Sequence, residues 1–567
     1  MKRPRHLANS WSLTVILVTA YVLKLILSNF GGIKSLSTPL VGSDLTSFYL
    51  WVGRYWGNDP GLIGIPGGST SIPGPHFDLH LILLTWLPYL VSQNAILAVN
   101  LVYFGIFLIN AVIALSIVKK FVRSNVLQAL YSIAVVTLPW PLGRLEHATL
   151  WLYTIPLLAI TSGLLLDREI FLSSSGKRVI YMLATSFILG GSGPYLATFS
   201  LLILVANLLL FAYKKRWLVV KMLIQLLLLT ICVIMISYVF LNQDLNILGE
   251  LSKIDRVLLD SVVFGGYLTL LFIPVDSIIG LNLNKIEEFR SKLNSDVETQ
   301  FYSNLGTYLV IASILLSLYL LFKPATHFDS FKNNQLESQS QTIQTLVHLN
   351  AFMILLFVKG GIGPLFSALA FEQLRAWNRI LPILEITSIL ILFVFMEQKY
   401  ANRTSRHGLV IQLILSVLVL SQFSQTIDFK ESIRERRILL EEYTVVASKI
   451  EASGEDCAIL QIPELPHDGR GAPEQMTTYD HFFGPLLEGN HDWSYGFTGK
   501  NFVKYFSNSR NLKVDLVFKR LKESGICFIA IDSYGLSYRD KDVLDSILQS
   551  YTIAIYLGDR MELRGLK

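Results

Sequence analysis

Several runs of about 17 to 25 apolar residues, separated by short polar turns, fill most of the chain up to residue 424. Runs of that length cross a bilayer as helices. The pattern predicts spans near 11–29, 94–118, 125–140, 148–166, 179–191, 195–213, 217–241, 305–322, 343–358, 380–397 and 409–424. Two other apolar stretches do not read as straight spans. Residues 80–91 make a run of only about twelve and contain Pro88, which suits an interfacial or re-entrant helix. Residues 258–274 carry Gly265, Gly266 and Pro274, and are assigned to a large outer loop, 242–304, lying on or dipping into the membrane.

An odd number of spans puts the two termini on opposite sides. Cations decide which side is which, because lysine and arginine concentrate in cytoplasmic loops. Lys2, Arg3 and Arg5 precede the first span; Lys119, Lys120 and Arg123, then Arg168, Lys177 and Arg178, then Lys214, Lys215 and Arg216, then Lys399, Arg403 and Arg406 fall in alternate loops. The N-terminus is therefore expected inside and everything after 424 outside. The first run lacks a small-residue cleavage site and reads as a retained span.

Beyond residue 424 the period changes. Residues 428–452 are charged and helical, and short apolar strands near 457–462, 526–532, 552–557 and 560–566 alternate with helical patterns at 512–523 and 539–549. That alternation predicts a small α/β domain. The expected architecture is an α-helical polytopic membrane protein of about eleven transmembrane helices, residues 1–424, with an extracytoplasmic α/β domain at 425–567.

Composition agrees: 52% hydrophobic residues, 16% charged residues and a mean hydropathy of +0.49 exclude an ordinary soluble protein. The net charge of +6 sits mostly in loops, where orientation accounts for it, and implies no nucleic-acid partner. Cys232 lies within a span and reads as packing. Cys457 and Cys527 each open a strand, and suit either a disulfide or two unpaired core thiols.

Candidate chemistry collects in the outer segments. Asp44, in the first outer loop (30–93), heads an aromatic-rich amphipathic stretch with Phe48, Tyr49, Trp51, Tyr55 and Trp56. Such residues favour the headgroup level, and a helix lying in the interface would hold Asp44 at the membrane surface, where a base meets a lipid-linked substrate. A glycine- and proline-rich loop, 61–75, leads to His76, Asp78 and His80. These suit a metal or a sugar, although the spacing matches no standard zinc signature and the three would not share one helix face. No cofactor is expected, with a divalent metal left open. Three more outer turns add Arg144, Glu146 and His147; a Gly-Gly-Ser-Gly-Pro turn before Tyr195; and Arg375 with Arg379, four apart on one helix face and suited to a lipid phosphate. Each arginine taken singly also suits a snorkelling anchor. In the soluble domain, Tyr479, Asp480, His481, Trp493 and Tyr495 form a dense polar-aromatic loop. It suits either carbohydrate contact or docking of the domain onto the membrane core.

These features together resemble the GT-C superfamily of polytopic membrane glycosyltransferases: an early outer-loop Asp, an interfacial helix, many spans and an outer C-terminal domain. Four stretches are similar to bacterial membrane proteins labelled sugar translocase or phosphoglycerol transferase. They are 264–275 (Phe-Gly-Gly-Tyr-Leu-Thr-Leu-Leu-Phe-Ile-Pro-Val), 374–379 (Leu-Arg-Ala-Trp-Asn-Arg), 479–481 (Tyr-Asp-His) and 493–496 (Trp-Ser-Tyr-Gly). The superfamily's acidic motif often pairs two acids; here Asp44 stands between Ser43 and Leu45.

The resemblance implies a transferase in a bacterial cytoplasmic membrane that moves a hexosyl or pentosyl group from a polyprenyl-phosphate-linked donor. The acceptor would be a cell-envelope glycan or glycolipid on the extracytoplasmic face. Asp44 would be the general base, Arg375 and Arg379 would hold the donor phosphate, and His76, Asp78, Arg144, Glu146, His147, Tyr195 and the 479–495 loop would contact substrate. The alternatives are a transporter or flippase of lipid-linked glycans, which would show inverted repeats with paired broken helices, and an assembly factor whose outer domain only binds partners.

Overall fold

The computed structural model describes residues 9–40, 44–56, 78–138, 140–145, 147–167, 175–241, 305–322, 334–358, 361–369, 376–400, 406–424, 429–463, 476, 480–487, 490–494 and 514–567. The assigned outer loop 242–304 and the glycine-rich 61–75 lie outside the described residues.

Helix α1 (Ser10–Lys24) starts at Asn9, whose side chain accepts the Trp11 N–H at 3.3 Å, and runs on through a wider turn, Leu25–Asn29. Gly31 and Gly32, at φ 82° and 103°, then turn the chain through conformations that only glycine adopts at no steric cost. Helix α2 (Asp44–Trp56) follows, then α3 (Leu79–Ser92), α4 (Ala95–Val118) and α5 (Asn125–Val136). Asp78, Asn94 and Ser124 cap the last three through side-chain oxygens, the preferred chemistry at helix starts.

Seven helices among the described residues are long and apolar enough to cross a membrane: Ser10–Asn29, Ala95–Val118, Asn125–Leu142, Pro194–Tyr213, Trp217–Ser237, Ser340–Phe357 and Trp377–Lys399. The other four predicted spans, 148–166, 179–191, 305–322 and 409–424, coincide with the helices Pro156–Asp167, Ser175–Gly190, Leu305–Phe322 and Arg406–Ser421. Asn125–Leu142 and Trp377–Lys399 are central, at 88% and 89% buried, whereas Trp217–Ser237 lies at the rim at 33%. On that rim Leu228, Ile231, Met235 and Ile236 point outward, as lipid contact requires. Cys232 is exposed there too, so it is not a packing residue.

The C-terminal region contains a five-stranded sheet of β1 (Ala458–Ile462), β2 (Asp492–Trp493), β3 (Ile526–Asp532), β4 (Thr552–Leu557) and β5 (Met561–Leu566), in the order β2-β1-β3-β5-β4. β1 pairs in parallel with β2 and β3, while β5 runs antiparallel to both β3 and β4. Leu439, Tyr443, Val446 and Ile450 of helix Lys430–Ser453 cover one face, and helices Val514–Glu523 and Tyr538–Tyr551 cover the other. Cys457 and Cys527, at the feet of adjacent parallel strands, are paired as a disulfide with Cα atoms 6.0 Å apart.

Among the described residues, contacts at two places join this region to the helices, at the start of helix Lys430–Ser453 and at α2. The Phe429 N–H donates to the Asn29 carbonyl at 3.0 Å, and Phe30 stacks on Phe429 at 4.7 Å. The segment made of the turn Asp480–Phe482 and helix Phe483–Leu487 packs against α2, with Leu486 against Gly53.

Candidate active site

Asp44 is the first residue of α2, one turn ahead of Phe48. Much of the described part of α2 is held by protein. Phe48, Tyr49 and Val52 are at most 1% exposed. Phe48 meets Trp151 edge-on at 6.0 Å, and the Tyr49 hydroxyl donates to Asn100 Oδ1 at 2.7 Å while accepting the Leu40 N–H at 3.2 Å. Asn100 in turn donates to the carbonyls of Leu36 and Thr38, both at 2.8 Å. Trp56 Nε1 donates to Thr85 Oγ1 at 3.2 Å. The expected headgroup helix is therefore a buried element with a fixed entry, because its aromatics find polar and ring partners inside the fold.

Behind α2, residues far apart in sequence converge. Arg144 Nη1 lies 3.2 Å from His147 Nε2. Arginine can only donate, so His147 Nε2 is the acceptor of this bond. His147 precedes the turn Ala148–Leu150, which packs against both α2 and helix Pro194–Tyr213. Gly193 fits against that turn without a side chain; a Cβ there would stand 2.7 Å from the Thr149 carbonyl. Two residues on, the Tyr195 ring carries the Arg379 guanidinium 4.3 Å from its centroid. Arg379 comes from the turn Trp377–Ile380, anchored by Trp377 Nε1 donating to Ser367 Oγ at 3.0 Å. A guanidinium stacked on a ring face directs its N–H edges sideways, the geometry that reads phosphate oxygens.

Asp78 corrects a sequence-based expectation. It is 1% exposed, and its oxygens accept the N–H groups of Leu81 at 3.0 Å and Gly193 at 3.1 Å. Burial pushes its carboxyl up to about 7, against those N–H groups and that of His80, which pull it back. His80 Nε2 faces the Ile188 carbonyl at 2.8 Å. Asp78 and His80 thus spend these atoms on backbone groups of α3 and of the segment that leads into helix Pro194–Tyr213.

Asp480, His481 and Trp493 are also corrected. All three are fully buried, so among the described residues of this loop no stacking platform for sugar is exposed. Asp480 pairs with Arg436 and, at 2.8 Å, with Arg560, which also binds Asp532 at 2.7 Å. Glu442 accepts the Arg560 N–H at 3.1 Å. The segment that Asp480 begins packs against α2, which supports the docking reading of the loop. His481 receives the Tyr443 hydroxyl at 3.2 Å on Nδ1 and faces the Pro463 carbonyl at 2.7 Å through Nε2, which fits the neutral ring. Burial pushes its imidazole from 6.5 to about 4. The unfolded chain takes up a proton below pH 6.5 that the fold refuses until about 4. His481's contribution to stability is therefore complete above pH 6.5 and falls as pH drops, by on the order of 3 kcal/mol at pH 4. Thermal unfolding at pH 7.5 and 5 should show this slope, and His481→Gln should flatten it; equal slopes in both proteins would reject the assignment.

His76, Glu146, Arg375, Tyr479 and Tyr495 lie outside the described residues. Sequence reasoning did not single out Asn100, Thr149, Arg436, Glu442, Asp532 or Arg560. Only the Gly-Pro step at 193–194 gave a readable sign, as a turn.

Comparisons with known proteins complete the picture. No family model matches the chain, and no curated protein matches it in sequence. The crystal structure of ArnT from Cupriavidus metallidurans bound to undecaprenyl phosphate is similar over 99% of this chain and 98% of its own, with 12% identity and a TM-score of 0.42. The structure of arabinofuranosyltransferase AftD from Mycobacteria is similar over 99% of this chain, with 12% identity and a TM-score of 0.55. The chain spans 42% of AftD's length. This chain has the GT-C fold. In this structure the Asp480–Leu487 segment packs against α2, Arg144 pairs with His147, and Arg379 lies over the Tyr195 ring.

Proposed function

We propose that the chain is a membrane glycosyltransferase that takes a sugar from a polyprenyl-phosphate-linked donor and delivers it to a cell-envelope glycan or glycolipid on the extracytoplasmic face. The observation that carries this reading is the convergence of Arg379 on Tyr195, and of Arg144 with His147, behind the helix that Asp44 opens. The GT-C fold and the sugar-transfer activity in AftD's name support it. The Cys457–Cys527 disulfide supports the extracytoplasmic placement of the C-terminal region, since disulfides persist in oxidising compartments.

In this mechanism Asp44 takes the proton of the acceptor hydroxyl as its oxygen attacks the anomeric carbon. The bond to the lipid phosphate breaks with inversion, and Arg379, with Arg375, stabilises the negative charge left on that phosphate. A stacked arginine is not replaced by lysine in such a role.

The test is transfer from a synthetic short-chain polyprenyl-phosphate sugar by the purified full chain in nanodiscs. Arg379→Gln should raise the donor KM on the order of 10- to 100-fold, the value of a charge-assisted phosphate bond. An unchanged donor KM would remove Arg379 from the site. Donor binding with no transfer to any envelope acceptor would instead favour the flippase reading.

A further inference from the structure

The outer end of α3 grips one turn at both of its ends. The turn at 188–193 is the last turn of the helix Ser175–Gly190 with the three-residue link, 191–193, to the helix Pro194–Tyr213. His80 Nε2 meets the Ile188 carbonyl at its start, at 2.8 Å, and Asp78 Oδ2 accepts the Gly193 N–H at its end, at 3.1 Å. The turn has no slack on the inner side. A Cβ on Gly191 would stand 2.8 Å from the His80 ring, and one on Gly193 2.7 Å from the Thr149 carbonyl and 3.2 Å from Asp78 Oδ2. Immediately after the grip come Pro194, which fixes the first helical residue, and Tyr195, which carries Arg379.

We propose that Asp78 and His80 form a clamp that sets the position of Tyr195, and through it of the Arg379 guanidinium, so that Asp78 is a positioning residue for the lipid-phosphate site. The proposal rests on the reading of Arg379 as the phosphate ligand. Its chemistry is specific to a carboxylate. Asp78 accepts the Leu81 N–H on one oxygen and the Gly193 N–H on the other. An asparagine offers one oxygen and turns an NH₂ group toward the other donor, so one of the two bonds is lost whichever way the amide lies. The Leu81 bond is local to α3 and the Gly193 bond reaches across 115 positions, so the cap can survive while the clamp opens.

Two readouts separate the clamp from the phosphate reading. The first is hydrogen exchange of the 188–196 backbone in the full chain in detergent. Asp78→Asn should speed exchange there at least tenfold, with α4 unchanged as the control for folding. Gly193→Ala, which pushes the same turn away from Thr149 while leaving Asp78 intact, should do the same. The second is binding of farnesyl phosphate, with farnesol and inorganic phosphate as the arms that isolate the lipid chain and the anion. Asp78→Asn and Arg379→Gln should each weaken farnesyl phosphate about 10- to 100-fold, leave farnesol unchanged, and combine to no more than the larger single effect. Unaltered exchange in both Asp78→Asn and Gly193→Ala overturns the clamp. Faster exchange with full farnesyl phosphate affinity in Asp78→Asn overturns its link to the anion site. Full affinity in Arg379→Gln overturns the phosphate reading alone, because the exchange result still stands or falls separately.

Discussion

Asp44→Asn is expected to lower kcat for sugar transfer by roughly 10²- to 10⁴-fold, the range that a positioned general base supplies. Donor binding and folding should survive. Asp44 opens α2. Asparagine keeps the shape and the affinity for helix starts, so the variant isolates loss of the proton acceptor. The measurement is kcat and donor KM in nanodiscs with one acceptor, beside a thermal melt. A loss in kcat at unchanged KM is the signature of an interaction made only in the transition state. Wild-type turnover would remove Asp44 from the mechanism and leave the convergence behind α2 as a binding site without a base.

The helices were legible in the chain because each predicted span is a run of apolar residues with few charges, and the strands because β1 and β3 alternate with helical patterns. What the sequence hid is what depends on distant partners. His76, Asp78 and His80 read as a metal or sugar group because their spacing says nothing of Gly193 and Ile188, which face Asp78 and His80 from more than a hundred positions away. Asp480, His481 and Trp493 have the composition of a carbohydrate platform and equally that of a buried network. The choice between them is made by Arg560, 80 positions on. The aromatic face of α2 suited headgroups equally well, until Asn100 and Trp151 supplied partners within the protein. The pair Arg379 and Tyr195 was half legible: both residues were singled out, but their stacking joins two turns that no local pattern connects.

Arg560→Met should unfold or loosen the sheet region by about 3–5 kcal/mol, because it strands buried carboxylates that one guanidinium now serves. Arg560 is 6% exposed; its Nε meets both Asp532 oxygens at 2.9 Å, and its Nη2 reaches Asp480 at 2.8 Å. Arg436 still covers Asp480 when Arg560 is gone, so the uncompensated charge falls chiefly on Asp532. Adding Asp532→Asn to Arg560→Met should therefore restore part of the loss, a coupling that a double-mutant cycle measures directly. The effect should also reach the membrane core. Asp480 begins the segment that lays Leu486 against Gly53 of α2, so loosening the network frees the helix that Asp44 opens. Arg560→Met should then lower kcat even at temperatures where the melt shows the protein folded, and the double variant should recover both together. Stability restored without any return of kcat would show that the sheet region stabilises the chain but does not hold α2 in its working position.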